Sequence, residues 1–380
     1  MTLQATRRGL IAGAGAALAA PGLGLAAAAD DGPLPEDGYY EVIEQQNSDR
    51  LWVIRQARPF HLQPIGNVTV IDQVDGLVMV DCGGSPGSGR RIVNLIRRVS
   101  AKPVKAVILT HWHGDHPLGL AEILKAWPGA RTIATAATRA HLSEPATMNT
   151  PATFEAKANA ALVSRYRGFA DYCRQQSAAA TTDADRAGWA AGGRLFNQYA
   201  RDMDGAVTIA PREGFTDELV IDDRDQPVVA TFLGRANTDG DAIVRVPRQG
   251  LLITGDLVVA PVPFAYGSYP SDWLAALKTL INMDWTRLVP GHGAPMNSSE
   301  HLLRVGALLE AAIAGAKGLP PGTTLADARA KLDFSARGRW FTGGDPWLDR
   351  WFKSYWTDPV IASAWKEANG VPIVQSLGGD

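Results

Sequence analysis

Apolar and polar positions alternate in short runs along the first hundred residues and settle into helical spacing later. Runs over 39–46, 51–56, 67–74 and 76–81 are rich in β-branched and aromatic residues and are parted by turn formers, so they predict four successive strands. Asp75-Gly76 supplies a tight turn between the last two. Over 88–99 the apolar residues Ile92, Leu95, Ile96 and Val99 share one face, which predicts an amphipathic helix. A buried strand follows over 104–109, then a helix over 118–127 and a short strand over 131–135. Strands resume over 219–222, 228–233, 242–246 and 251–254. A helix capped by Ser271 runs to Met283, a strand covers 288–292, and helices fill 298–317 and 324–331.

Two stretches stand apart from this rhythm. Residues 138–203 are Ala-rich with helical spacing and carry Phe154, Tyr166, Phe169, Tyr172, Trp189, Phe196 and Tyr199, which predicts a helical insertion. Its position fits a wall of a binding site and equally a packing or dimer surface. The tail over 340–365 is aromatic and is expected to fold over the core. The remaining order of strands and helices fits an α/β fold, an αββα sandwich of two mixed β-sheets flanked by helices. At 380 residues and 46% apolar composition the chain is long enough for one large core.

Charge and cysteine usage narrow the function classes. A formal charge of −2 implies no basic surface, hence no nucleic-acid partner. Arg7-Arg8 precede a weakly apolar Gly/Ala run, and Ala26 to Ala29 offer a small-residue cleavage site. This predicts a secretory signal of twin-arginine type over 1–29 and a periplasmic protein. The run is too short and weak for stable membrane insertion. Its removal takes the formal charge to about −4, because two arginines leave with it. The predicted organisation is this signal, a main domain over 30–320, and an aromatic-rich extension over 321–380 packed on it. The two cysteines, Cys82 and Cys173, lie in unlike contexts, so no disulfide is expected, and a Cys-based zinc site is excluded by number.

The strand over 104–109 ends in polar residues of one chemical kind. His111, His113, Asp115 and His116 fall within six positions of a chain with only seven histidines. Imidazole and carboxylate groups are good ligands for zinc, and also for iron or manganese. Alternation in an extended run puts His111 and His113 on one side, and a turn at Gly114 sends Asp115 and His116 elsewhere. Two pairs aimed at neighbouring points describe a dinuclear centre at a strand end. Two later strands also end in a metal-binding side chain, Leu251 to Asp256 and Leu288 to His292.

The run His-x-His-x-Asp-His after a strand resembles the metallo-β-lactamase superfamily. The resemblance covers about residues 50–300 outside the insertion. It implies that Asp256 bridges two metals and that His292 completes a second site with Asp115 and His116. It implies a first site of His111, His113 and one more histidine from a segment Gly-x-x-His-Thr-x-Gly-Asp. Here that segment reads Gly234-Arg-Ala-Asn237-Thr-Asp-Gly-Asp241, so Asn237 stands where the family has histidine. An amide oxygen is a weak zinc ligand. Three outcomes are open: one tightly held metal, two metals with Asn237 or water as the weak ligand, or loss of catalysis. His61, His141 and His301 are the histidines left to replace the missing ligand. Asp81 matches a family position that supports the ligands through hydrogen bonds.

The resemblance implies a zinc-dependent hydrolase, which the signal over 1–29 would export, with one tight ion and a second, weaker one. Zinc lowers the pKa of bound water towards about 7 and so supplies a hydroxide nucleophile. Asp115 is the expected catalytic residue, orienting that water and taking its proton. The expected substrate is a small ester, lactone, lactam or related molecule. The rival readings are a non-catalytic and a redox metal-binding member of the same superfamily. The sequence leaves the oligomeric state open.

Overall fold

The computed structural model describes residues 41–46, 50–56, 65–143 and 156–374. The expected signal over 1–29, His61, Phe154 and the middle of the insertion at 144–155 lie outside the described residues. In chain order the first sheet is built from β1 (Glu41–Gln45), β2 (Leu51–Gln56), β3 (Val68–Asp72), β4 (Leu77–Val80), β5 (Val104–Ile108), β6 (Arg131–Thr135) and β7 (Glu213–Phe215). The second holds β8 (Glu218–Ile221), β9 (Val228–Phe232), β10 (Ala242–Val246), β11 (Leu251–Ile253) and β12 (Arg287–Val289). Strand order is β1-β2-β3-β4-β5-β6-β7 in one sheet and β12-β11-β10-β9-β8 in the other.

Both sheets are mixed, and the connections explain why. β1 to β4 form an antiparallel meander. β4 to β7 pair in parallel, which requires crossovers. These are α1 (Pro86–Val99), α2 (Leu120–Ala126), and the trio α3 (Ala136–Ser143), α4 (Ala156–Ala179) and α5 (Asp183–Asp202). In the second sheet only β11 and β12 are parallel, and α6 (Pro270–Ile281) joins them.

Alternation along single strands builds the layers. In β4, Val78 and Val80 face Val244 and Ile253 of the other sheet, while Leu77 and Met79 face Ile92 and Ile96 of α1. Ile243, Leu252 and Leu288 cover the outer face of the second sheet with Trp273 and Leu277 of α6 and Leu308 of α7 (Glu300–Lys317). Strands buried on both faces read as continuous apolar runs. Each such Val, Leu or Ile stabilises the fold by about 1.5–3 kcal/mol. The molecule is thus two mixed sheets flanked by helices.

The chain closes with α8 (Leu325–Lys331), α9 (Ser335–Thr342), α10 (Pro346–Phe352), a π-helical turn Lys353–Thr357 and α11 (Asp358–Ala368). Phe341, Phe352 and Trp356 join the core under α6 and α7, whereas Trp347 packs with Trp189 of α5. No helix among the described residues is long and apolar enough to cross a membrane. Cys82 and Cys173 are both free and buried.

Helix starts shift by a residue or two from the sequence reading, and two of the shifts have a visible cause. α1 begins earlier, because Ser85 accepts from the Ser88 amide and Pro86 fills the first turn. α6 begins at Pro270 after Tyr269, so Ser271 is not its cap; the Ser271 amide and hydroxyl instead donate to Glu367 of α11. β7 was not expected, since three residues with a central glycine carry no alternation to read.

Candidate metal centre

Three strands deliver the candidate ligands to one end of the sandwich, and a fourth delivers their support. The loop Thr110 to His116 follows β5, Asp256 follows β11 and His292 follows β12, while Asp81 follows β4. Backbone bonds fasten these loops together. The Asp81 amide donates to Ile108 O (2.8 Å), Cys82 to His116 O (3.0 Å) and Gly291 to Gly255 O (2.8 Å). β5 stops at Ile108, so His111 and His113 stand in a loop rather than in the extended run. Their rings still meet edge to face at 4.6 Å. A turn at Gly114 and Asp115, closed by His116 N to His113 O (3.0 Å), brings His116 back over His111 at 4.3 Å.

Asp81 dictates which nitrogens face the centre. It adopts a left-handed φ of 61°, which costs a non-glycine residue energy and which Asp tolerates better than most. Its Oδ1 accepts from the Thr110 amide (2.8 Å). Its Oδ2 accepts from the Thr110 hydroxyl (2.8 Å) and from His116 Nδ1 (2.9 Å). With its proton committed to Asp81, Thr110 Oγ1 can only accept from His111 Nδ1, 3.0 Å away. Both imidazoles therefore carry hydrogen on Nδ1 in their neutral forms and turn Nε2 towards the centre. Thr110 was not singled out from sequence; a lone threonine beside a histidine gives no signal until Asp81 is seen opposite.

The inward atoms form a cluster. His292 Nε2 lies 2.9 Å from Asp115 Oδ2 and 3.6 Å from Asp256 Oδ1. His116 Nε2 lies 3.3 Å from Asp256 Oδ1 and 3.7 Å from Asp115 Oδ2. Donors around a tetrahedral ion with bonds of about 2.0–2.2 Å sit roughly 3.3–3.6 Å apart, and Asp256 Oδ1 stands at that spacing from both His116 and His292, with Asp115 Oδ2 closing on His292. Asp256 turns its other oxygen, Oδ2, to His111 Nε2 at 3.6 Å. Two close groups result, His111 with His116 and Asp256, and Asp115 with His116 and His292. His116 belongs to both, and His113 to neither. The pairing of His111 with His113 expected from sequence is thus looser than the contact of His111 with His116.

Burial and unmet hydrogen bonding complete the fit. His111, His113, His116, Asp256 and His292 are all buried. Nε2 of His111, His113 and His116, Oδ1 of Asp256 and Oδ1 of Asn237 have no hydrogen-bond partner among the described residues. Buried polar atoms left unpaired are costly, and the convergence of those of His111, His116 and Asp256 calls for a cation or water. Asn237 donates through Nδ2 to the Asp256 carbonyl (3.3 Å). A carbonyl only accepts, so this bond fixes which end of the amide is oxygen. His141 bonds through Nε2 to Asp239 (2.9 Å) and His301 through Nε2 to Val259 O (3.0 Å). Neither enters the close donor groups.

Charge within the metal-free centre is self-balancing. Burial pushes the Asp115 carboxyl up, but His116 and His292 outweigh it and hold that carboxyl well below the usual range. Burial disfavours charge on His116, yet Asp256, Asp115 and Asp81 together hold its pKa well above the ordinary value. Burial, with His116 adding repulsion, drives His111 far down. Burial also brings His113 to about 4 against the pull of Asp115 and Asp256. Beside the cluster, burial lifts Asp241 to about 8 although the Thr238 amide bonds to it.

Two further residues hold the loops in register, and neither was read from sequence. The Gly66 amide donates to Asp115 O (2.9 Å). Asn67 gives its amide N–H to Gly291 O (2.7 Å) and its side-chain Nδ2 to Pro290 O (2.9 Å) and Gly293 O (2.8 Å), bracketing His292. One short segment thus ties the β5 loop to the β12 loop.

The metallo-beta-lactamase superfamily model matches residues 63–292. The linear primary-alkylsulfatase of Pseudomonas sp. (strain ATCC 19151) is 27% identical over 263 residues, which is 64% of this chain and 44% of that protein. Among solved structures, the stereoselective inverting sec-alkylsulfatase of Pseudomonas sp. superposes with a TM-score of 0.57 at 17% identity, covering 87% of this chain and 50% of the other. A metallo-beta-lactamase from Pontibacter korlensis gives 0.49 at 16% identity, covering 71% and 99%. The chain spans about half the length of the alkylsulfatases it matches. The match over residues 63–292 and the two mixed sheets with their flanking helices agree: the chain belongs to the metallo-β-lactamase superfamily.

Proposed function

We propose that the chain is a zinc-dependent hydrolase of ester bonds, with sulfate esters of organic alcohols as the first substrates to test. One observation carries this reading: buried His and Asp donor atoms from three separate strand ends converge within 2.9–3.7 Å of one another, with His116 Nε2 and Asp256 Oδ1 lacking any hydrogen-bond partner among the described residues. Asp115, His116, Asp256 and His292 would hold the tighter ion, and His111, His113 and Asp256 a weaker one beside Asn237. When bound, such an ion supplies an activated water and a Lewis acid. Asp115 is the most exposed member of the cluster, and its carboxylate stays ionised, so it is placed to accept a hydrogen bond from the attacking water. Asp81 and Thr110 keep the imidazoles oriented through the reaction. The similarity to a linear primary-alkylsulfatase favours sulfate esters over lactams. Arg7-Arg8 and the Ala-rich exit support delivery to the periplasm.

The test uses purified protein loaded with zinc and assayed on octyl sulfate, 4-nitrophenyl acetate, a lactone and a chromogenic cephalosporin. The expected result is release of sulfate that stops on chelation and is absent in His116→Ala. Metal-loaded protein that turns over none of the four would overturn the hydrolase reading and leave the non-catalytic one, which Asn237 favours.

A further inference from the structure

Asp115 is the most exposed side chain of the cluster. The Asp115 side chain is 22% exposed, against 0% for His111 and His116, 4% for Asp256 and 6% for His292. A substrate therefore reaches the cluster past Asp115. A chain of aromatic rings adjoins the centre at His113. Phe264 meets His113 edge to face at 6.0 Å. It then contacts Tyr266 at 5.0 Å and Tyr355 at 5.7 Å, and Tyr355 lies 5.1 Å from Trp351. Phe264, Tyr266, Trp351 and Tyr355 are all only half-buried.

The local backbone explains how two of these rings come to face the approach. The Ala265 amide donates to the Tyr355 carbonyl (2.9 Å), tying the loop at 264–266 to the π-helical turn. Along α10 and that turn, Phe352 and Trp356 point into the core beneath α6 and α7. Trp351 and Tyr355, one position earlier in each case, lie against the α4–α5 side and stay half-buried. A π turn adds a residue to the helix and re-aims side chains, and such turns recur at functional sites. The cations on these elements are engaged elsewhere. Arg350 pairs with Asp185 and lies over Trp189, and Lys353 pairs with Asp358. The wall is thus apolar where it adjoins the centre.

We propose that Phe264, Tyr266, Trp351 and Tyr355 bind the apolar part of the substrate, an extended alkyl chain, while its reacting head lies at the metal centre. This deepens the hydrolase reading and rests on it for the position of the head. It assigns substrate selection to the loop at 264–266 together with residues 346–357, the latter beyond the stretch 63–292 that matches the family.

The probes are alkane-1-sulfonates from butane to decane, used below their aggregation concentrations with zinc-loaded protein. Their carbon–sulfur bond is not hydrolysed, so binding is read independently of turnover, by calorimetry and by quenching of tryptophan fluorescence. Full burial of each methylene corresponds to about a fourfold gain in affinity. The expected slope is at least twofold per methylene in the wild type, falling towards one in Trp351→Ala and Phe264→Ala with zinc content retained. Tyr355→Leu, which keeps apolar bulk, should retain most of the slope and guards against loss by misfolding. A flat series in the wild type, or an undiminished slope in both alanine variants, would overturn the proposal. A steep slope without turnover of octyl sulfate would fault the hydrolase reading alone, and turnover of short esters with a flat series would fault the wall alone.

Discussion

Gly66 lies so close to His116 that a Cβ at that position would come within 2.3 Å of the imidazole Cε1 and 2.5 Å of Nδ1. The backbone of β3's leading residues is thus the back wall of a ligand pocket. It leaves the His116 ring one plane to occupy, with Asp81 on Nδ1 and the carboxylates of Asp115 and Asp256 beyond Nε2.

Gly66→Ala should therefore damage the metal centre first. Overpacking of this kind costs about 1–3 kcal/mol, and displacing the ring should weaken zinc binding by at least roughly tenfold. Gly129→Ala is the control, because a Cβ there meets nothing within 4 Å. Competition with a chromogenic chelator, alongside thermal unfolding, measures both effects. Equal zinc affinity in the two variants would show that His116 has room to move.

Asp81→Asn separates the backbone role of this residue from its charge. Asn tolerates the left-handed φ of 61°, so the turn after β4 should survive. The amide cannot accept from Thr110 and His116 as the carboxylate does. The expected outcome is a folded protein with zinc affinity lower by about 10–100-fold. A variant as tight as the wild type would remove Asp81 from the positioning machinery.

Proton release should accompany metal binding. Asp256, Asp115 and Asp81 hold His116 well above its ordinary pKa, so its imidazole is charged in the metal-free centre at neutral pH. Ligation through Nε2 requires that proton to leave. Zinc binding near pH 7 should liberate about one proton per tight ion, and affinity should rise about tenfold per pH unit while His116 stays protonated in the free form. Calorimetry in buffers of different ionisation enthalpy reads the proton directly. Binding without release would contradict the charge balance described for the centre.

His301 gives the fold a separate acid sensitivity. Burial, with repulsion from Arg304, brings its pKa to about 4 from an ordinary 6.5, although it keeps a bond to Val259 O. Between those values the unfolded chain binds a proton that the folded chain refuses. Stability is therefore full above pH 6.5 and falls as pH drops towards 4, by on the order of 1–3 kcal/mol. His301→Gln keeps a donor for Val259 and does not titrate. The difference in urea midpoint between wild type and variant should change across that window and be flat above it.

Much of this architecture is legible in the chain because the physics is local. Strands buried on both faces announce themselves as apolar runs, and the histidines and aspartates that follow β5, β11 and β12 need only a strand end to be placed. Gly66 and Asn67 are not legible, because their roles depend on residues about 50 and 225 positions away in sequence. The grouping of His111 with His116 rather than His113 depends on where β5 stops, and one residue decides that. Ser271 shows the limit of capping rules: the neighbouring proline fixed the helix start and a distant Glu367 claimed the hydroxyl.

Asn237 is where this chain departs from its family, and it makes the sharpest prediction. Its side chain is buried, its Nδ2 is held by the Asp256 carbonyl, and its Oδ1 has no partner among the described residues. An oxygen is thus presented where the family presents an imidazole nitrogen, and zinc holds an amide oxygen poorly. Asp115, His116 and His292 form one close donor group with Asp256 Oδ1 beside it, whereas the other position has His111 and the shared His116 and Asp256 close together and His113 farther off. One zinc per chain should survive dialysis against a mild chelator, with a second bound only in metal excess. Asn237→His should restore a second tight zinc. The two positions share Asp256 and crowd around His116, so His116→Ala should release the tight ion, as should His292→Ala, whereas His113→Ala should cost far less affinity. Elemental analysis after dialysis decides the matter, and two zincs retained by the wild type would mean that Asn237 Oδ1 is a competent ligand after all.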